Sequence, residues 1–291
     1  MERDDPGARI PPKPVWAAAL WLAACGVIVF VRLRVHLNAY VDLYRDLASE
    51  GVPTWALKLD YPLIMLGPAL LGAALAWMGA RDKRGDGPFG LLLLRSPLRG
   101  WLPVTLIASA PMVIGGAVLM LSRGARPVGG AFWSDVLLVV VRAPIVEEVF
   151  FRGFMVALPA ALLAGGAAWA LRGRRFWVLA AVSALVFGSL HIELSVGGLA
   201  GGWLTLLVTA AGGVWFAWLM RSWRSVLVPL VLHAGMNLGW VLMDAEGGAG
   251  GGGLLENLLR AATIAAGTLL TIRANRRDPK GREGHGNAEG R

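Results

Sequence analysis

Three short stretches of this chain carry residues suited to proton transfer and to the stabilisation of negative charge. Glu147, Glu148 and Arg152 stand in APIVEEVFFRGF (Ala143 to Phe154), Phe187 and His191 in FGSLH, and His233 and Asn237 in HAGMN. Each stretch lies in a run otherwise apolar enough to cross a bilayer, where an ionised side chain costs about 3 kcal/mol or more without a partner or a task. Helical spacing organises them. Glu148 and Arg152 are four apart and can pair along one face, while Glu147 is turned about 100° away. His233 and Asn237, also four apart, can face one cavity, and Phe187 lies one turn from His191 and can pack on its ring. Pro144 removes a backbone hydrogen bond just before the carboxylates, which should bend or loosen the helix there.

Hydrolysis of a peptide bond inside a membrane needs a held water, a base to deprotonate it and donors for the oxyanion that forms. Glu147 with His191 is the expected water-activating pair, and His233 with Asn237 the expected oxyanion donors. Glu148 is a further catalytic candidate whose main expected part is to brace the helix with Arg152, and Phe187 supports His191. The same donors could instead hold a divalent metal with an open position, zinc being the best match, through Glu147, His191 and His233. Spacing leaves both chemistries open.

The elements that must position these residues follow from composition. With 56% hydrophobic and 16% charged residues over 291 positions, the chain reads as an all-α, polytopic membrane helical bundle. Apolar segments long enough to span occur at about 15–33, 62–80, 101–121, 134–157, 177–194, 196–220, 225–243 and 254–272, which gives eight transmembrane helices. The stretch 156–172 can be read as a continuation of the fourth helix, a re-entrant piece or an extra crossing.

Charge orients the bundle. With eight spans and a cytoplasmic N-terminus, nineteen of the 28 basic residues fall on the cytoplasmic side, six outside and three within spans, Arg142, Arg152 and Arg260. That asymmetry places both termini in the cytoplasm. The domain reading is a cytoplasmic segment at 1–14, one transmembrane domain at 15–272 with its catalytic core at about 134–243, and a basic disordered tail at 273–291. The net charge of +9 is distributed in clusters between apolar segments, which argues for membrane orientation and against nucleic acid as a partner. Cys25 is the sole cysteine, so neither an internal disulfide nor a cysteine metal cluster is available.

Smaller features complete the reading. LAACG at Leu22 to Gly26 resembles a lipoprotein cleavage box, but GVIVFV follows it, so the segment is read as a helix. Tyr40, Leu43, Tyr44 and Leu47 repeat at the spacing of a short amphipathic surface helix. Gly197, Gly198, Gly201 and Gly202 read as a close-packing face, and the glycine run from Gly247 to Gly253 as a loop. The terminal AEGR is not a prenylation signal.

Depth provides a further test of convergence. Counted at about 1.5 Å per residue from the cytoplasmic ends of the expected spans, Glu147 lies ~15 Å in, His233 ~12 Å, Asn237 ~18 Å and His191 ~21 Å. These depths allow the four groups to meet.

At these residues the chain resembles the CAAX-processing and bacteriocin-processing (CPBP) family of intramembrane endopeptidases, which includes the type II CAAX prenyl endopeptidases. That family is marked by EExxxR, FxxxH and HxxxN on three helices, matched here by Glu147, Glu148 and Arg152, by Phe187 and His191, and by His233 and Asn237. The resemblance covers about residues 134–240. It implies an eight-helix fold and proteolysis by a glutamate-activated water, with metal-dependent and glutamic-type mechanisms both described for the family. It further implies a membrane-associated protein or peptide substrate, the lipid bilayer as surroundings and a multi-pass location in a bacterial inner membrane. Two other classes use the same residues: a proton- or ion-coupled transporter with Glu147, Glu148 and the histidines as a relay, and a non-catalytic scaffold that binds a membrane peptide. The carboxylate motif has no second copy, as the paired halves of a carrier would supply.

Overall fold

The computed structural model describes residues 26, 100–124, 130–157, 159–160, 173–192, 196–244 and 253–277. Among them every regular element is helical and there is no strand. In chain order these are α1 (Trp101–Ser122), α2 (Gly130–Asp135), π1 (Val136–Arg142), α3 (Ala143–Glu147), π2 (Glu148–Ala157), α4 (Gly173–Ser189), α5 (Val196–Trp223), α6 (Leu227–Met243) and α7 (Leu254–Arg277). Helices occupy every expected span from 101–121 onward. Two of them are long and apolar enough to cross a membrane, Trp101–Ser122 and the Gly201–Trp223 part of α5, and α6 is a shorter apolar helix. The spans expected at 15–33 and 62–80, the surface helix near Tyr40, residues 1–14, 161–172 and 278–291, and the glycine run before Gly253 lie outside the described residues.

The structure departs from the expected pattern at three places. The fourth expected span is helical throughout but not α-helical throughout, since π-helical turns stand on either side of the five-residue α3. Pro144 lies in α3, and its missing N–H disrupts the regular ladder at this point. The helix expected to run to residue 194 ends at Ser189, which puts His191 in the turn beyond it. There the N–H groups of Leu190 and His191 donate to Phe187 O and Gly188 O, at 3.2 and 3.1 Å. Such i to i+3 bonds tighten a last turn and close it. Finally, α7 continues to Arg277, past residue 272 where the last span was expected to end.

The chain divides into two compact units. The first, residues 1–95 and 149–217, includes most of π2, α4 and most of α5. Its interior holds Phe150, Phe151 and Phe154, all buried, with Arg152 among them. Ser183 of α4 donates its hydroxyl to the Phe151 carbonyl of π2 across 2.8 Å, which ties the two helices.

The second unit, residues 96–148 and 218–291, is built around α6. This helix packs on α1, π1 and α3, and α7 packs on α1 from another side. Met120 and Leu242 are buried together, with Val113, Ala117, Phe132 and Leu238 against them. Both ends of α6 are held. At its start the Leu227 N–H donates to Ser225 Oγ at 3.2 Å, and at its end Arg123 Nη1 donates to Met243 O at 3.0 Å. The arginine thereby satisfies a terminal carbonyl and sets a positive charge against the negative end of the helix dipole.

Along its length α6 approaches α1 so closely that two positions have no room for a side chain. A Cβ at Gly235 would lie 2.4 Å from Ser109 Oγ, and one at Gly239 would lie 2.5 Å from the Met112 carbonyl oxygen. Gly235 and Gly239 are four apart, as small residues at close helix crossings are.

Candidate active site

On α6, His233 and Asn237 alternate with Gly235 and Gly239. Two residues of α-helix correspond to about 200°, so when the glycines face α1 the imidazole and the amide face away from it, toward π1 and α3. The packing of α6 on α1 thus aims the polar pair. The other side of the site comes from the carboxylates at the junction of α3 and π2.

His233 stands between the two carboxylates. Its Nδ1 donates to Glu148 Oε1 across 2.8 Å, and its Nε2 lies 3.9 Å from Glu147 Oε2. The Glu148 side chain is fully buried, whereas those of Glu147 and His233 are 16% and 12% exposed. The two glutamates are therefore placed for different work. Glu148 makes a direct, charge-assisted hydrogen bond that fixes the ring. Glu147 stands off at a distance that a water beside both groups can bridge. Asn237 Nδ2 donates to the Val139 carbonyl of π1 across 2.9 Å. Glu147, Glu148, His233 and Asn237 all belong to the second unit.

In the first unit, Arg152 is 2% exposed. Its Nη2 donates to Gly213 O at 3.5 Å, and its guanidinium carbon lies 4.8 Å from the Phe187 ring centre and 5.2 Å from that of Phe216. Cation–π contact and a carbonyl thus help hold this buried charge. Phe187 also meets Phe151 and His191 edge-on, with ring centres 5.0 and 4.7 Å apart. His191 is exposed, and its Nδ1 donates to Phe187 O at 2.9 Å. A carbonyl only accepts, so the proton sits on Nδ1, and in the neutral ring Nε2 is left as an acceptor.

Sequence reasoning missed two supports of this arrangement. The first is the Gly235/Gly239 face, which small residues four apart within HAGMNLG could have signalled. The second is Arg123, for which a lone basic residue just past a helix end gives little signal.

Zinc is the metal that the donor types allow. Among the described residues there is no group of three or more His, Cys, Asp or Glu side chains that could hold a metal ion. Glu147, Glu148 and His233, together in the second unit, therefore do not supply the three-ligand set that a catalytic zinc takes.

A helical interior that brings two carboxylates, an imidazole and an amide together in one unit has the parts of a hydrolytic site. Residues 129–239 match the family model described as type II CAAX prenyl endopeptidase Rce1-like, and this segment contains every motif residue named above. The resemblance read from the three motifs is thereby shown over that segment, which is less than half of the 291-residue chain. The family indicates a protease. Neither the curated proteins nor the solved structures give a match to the chain.

Proposed function

We propose that this chain is an intramembrane endopeptidase in which Glu147 is the base for the attacking water. The reading is carried by the unequal placement of His233, bonded to Glu148 at 2.8 Å and standing 3.9 Å from Glu147. Glu147 takes one proton from the water as its oxygen attacks the peptide carbonyl carbon. The doubly protonated ring of His233, held by Glu148 through Nδ1, donates through Nε2 to the oxyanion, and Asn237 donates with the N–H that Val139 leaves over. When the C–N bond breaks, Glu147 returns the proton to the amine nitrogen. His191 joins Glu147 in activating the water, on the strength of its motif and of the family resemblance. Arg152 and Phe187 support π2 and His191.

The substrate is a membrane-associated protein or peptide, and the enzyme sits in a bacterial inner membrane as an eight-span bundle with both ends in the cytoplasm. Two observations support that setting. The basic residues divide unequally between alternate connections, and α1 turns Leu106, Ile107, Ile114, Val118 and Leu121 outward, as a lipid-facing helix does.

The test is a comparison, by mass spectrometry, of the termini of membrane proteins from cells with the active protein and cells carrying Glu147→Ala. A set of termini present with the first and absent with the second is expected. Identical termini, with both proteins inserted to the same level, would refute proteolysis.

A further inference from the structure

We infer that Pro144 is a positioning residue of this site: by withholding a backbone N–H in the π-helical register, it leaves the Val139 carbonyl to anchor the amide of Asn237. The inference rests on the site as read above and adds a residue that none of the three motifs contains.

In a π-helix a carbonyl takes its hydrogen from the residue five positions on. At the end of π1 the Ala143 N–H donates to Leu138 O, five residues back. The next carbonyl in that register is Val139, and its donor would be residue 144. Proline has no N–H to give. The donor one position earlier, the Ala143 N–H, is engaged with Leu138 O. Asn237 supplies the missing hydrogen from another helix, with Nδ2 at 2.9 Å from Val139 O.

This bond also sets which way the amide points. A carbonyl only accepts, so the nitrogen end of Asn237 must face Val139. One N–H is then used by Val139 and the second is held in a fixed direction, as a preorganised oxyanion donor requires. Turned over, the amide would oppose its own oxygen to that of Val139. An N–H at position 144 would compete for the same carbonyl and release the amide. Pro144, Val139 and Asn237 lie in one compact unit, in which α6 packs on π1 and α3.

The experiment takes the purified full chain in detergent micelles and compares Pro144→Ala, Asn237→Ala and the double variant. With Pro144 present, Asn237→Ala is expected to lower the unfolding midpoint by about 2–4 °C. In the Pro144→Ala background, the same change is expected to cost less than about 1 °C, because the backbone now serves Val139. In protein labelled with 15N-asparagine, the Asn237 side-chain amide signal, assigned by its loss in Asn237→Ala, should shift in Pro144→Ala while that of Asn257 stays. Pro144→Ser carries the same N–H under a different side chain and should show the same loss of coupling. Equal midpoint losses in both backgrounds, or an unmoved Asn237 signal, would overturn the inference. Neither readout involves a substrate, so the result stands apart from the proteolysis test: coupling without cleavage keeps the anchor and removes the enzyme reading, and cleavage without coupling does the converse.

Discussion

Replacement of Gly235 by alanine tests whether the α1–α6 contact sets the site. The new Cβ would lie 2.4 Å from Ser109 Oγ and 2.6 Å from Ser109 Cβ. Carbon atoms in comfortable contact are about 3.5–4.0 Å apart, so relief on the order of 1 Å is needed. Rotating the serine does not provide it, because its Cβ stays in place and its hydroxyl is held to Thr105 O at 2.8 Å. The helix carrying His233 must therefore move. His233 faces away from α1, so a shift of that size off Ser109 presses Nδ1 against Glu148, already only 2.8 Å away, and forces the pair out of its hydrogen-bond geometry. The expected stability loss is about 1–3 kcal/mol, the usual cost of overpacking. A misplacement on the order of 1 Å is also expected to cost ~100-fold in rate. Ser109→Gly removes the obstructing atoms and should restore both stability and cleavage in the double variant, whereas Ser109→Ala keeps its Cβ and should restore neither. Thermal unfolding in micelles reads the first quantity, and the yield of protein-dependent termini reads the second. A Gly235→Ala protein with unchanged stability and cleavage, or a Ser109→Gly double variant no better than the single one, would refute the reasoning.

Two other perturbations separate charge from hydrogen bonding and helix support from chemistry. Glu148→Ala leaves Nδ1 of the part-buried His233 without this acceptor and is expected to lose about 1–3 kcal/mol of unfolding free energy, while Glu148→Gln keeps an acceptor and loses less; equal losses would show that the hydrogen bond is not what Glu148 contributes. Arg123→Gln removes the charge at the C-terminus of α6 and should cost about 0.3–1 kcal/mol, seen as a small fall in unfolding midpoint with the termini produced unchanged; lost cleavage at an unchanged midpoint would give Arg123 a part in the site.

Much of the site is visible in the sequence because charged and amide groups are rare in apolar helices. Glu147, Glu148, His233 and Asn237 are recognisable by type, and α1, α5, α6 and α7 by the length of their apolar runs. What spacing cannot convey is where the hydrogen bonds go. Counting at 3.6 residues per turn assumes an unbroken α-helix, and the π-helical turns around α3 alter that count where the carboxylates lie. FGSLH is apolar enough to carry a helix through His191, yet the 3₁₀-type closure after Ser189 takes that residue into a turn. The Val139–Asn237 bond is hidden for a related reason. It depends on a carbonyl that no side-chain pattern records, exposed by a proline whose effect reads in the sequence only as a loosening of the helix.

The alternation along α6 has a consequence for how this part of the chain can change in length. His233 and Asn237 look one way while Gly235 and Gly239 look the other, and both sets are in use. Inserting or deleting a single residue between them would rotate everything on one side of the change by about 100°. A bulky side chain would then meet α1 where only glycine fits, or the amide would turn from π1. A substitution on such a helix changes one position, whereas an insertion or deletion re-aims every position on one side of it. Between His233 and Gly239 the spacing is itself part of the site, and tolerance for added or lost residues begins only where the helix ends.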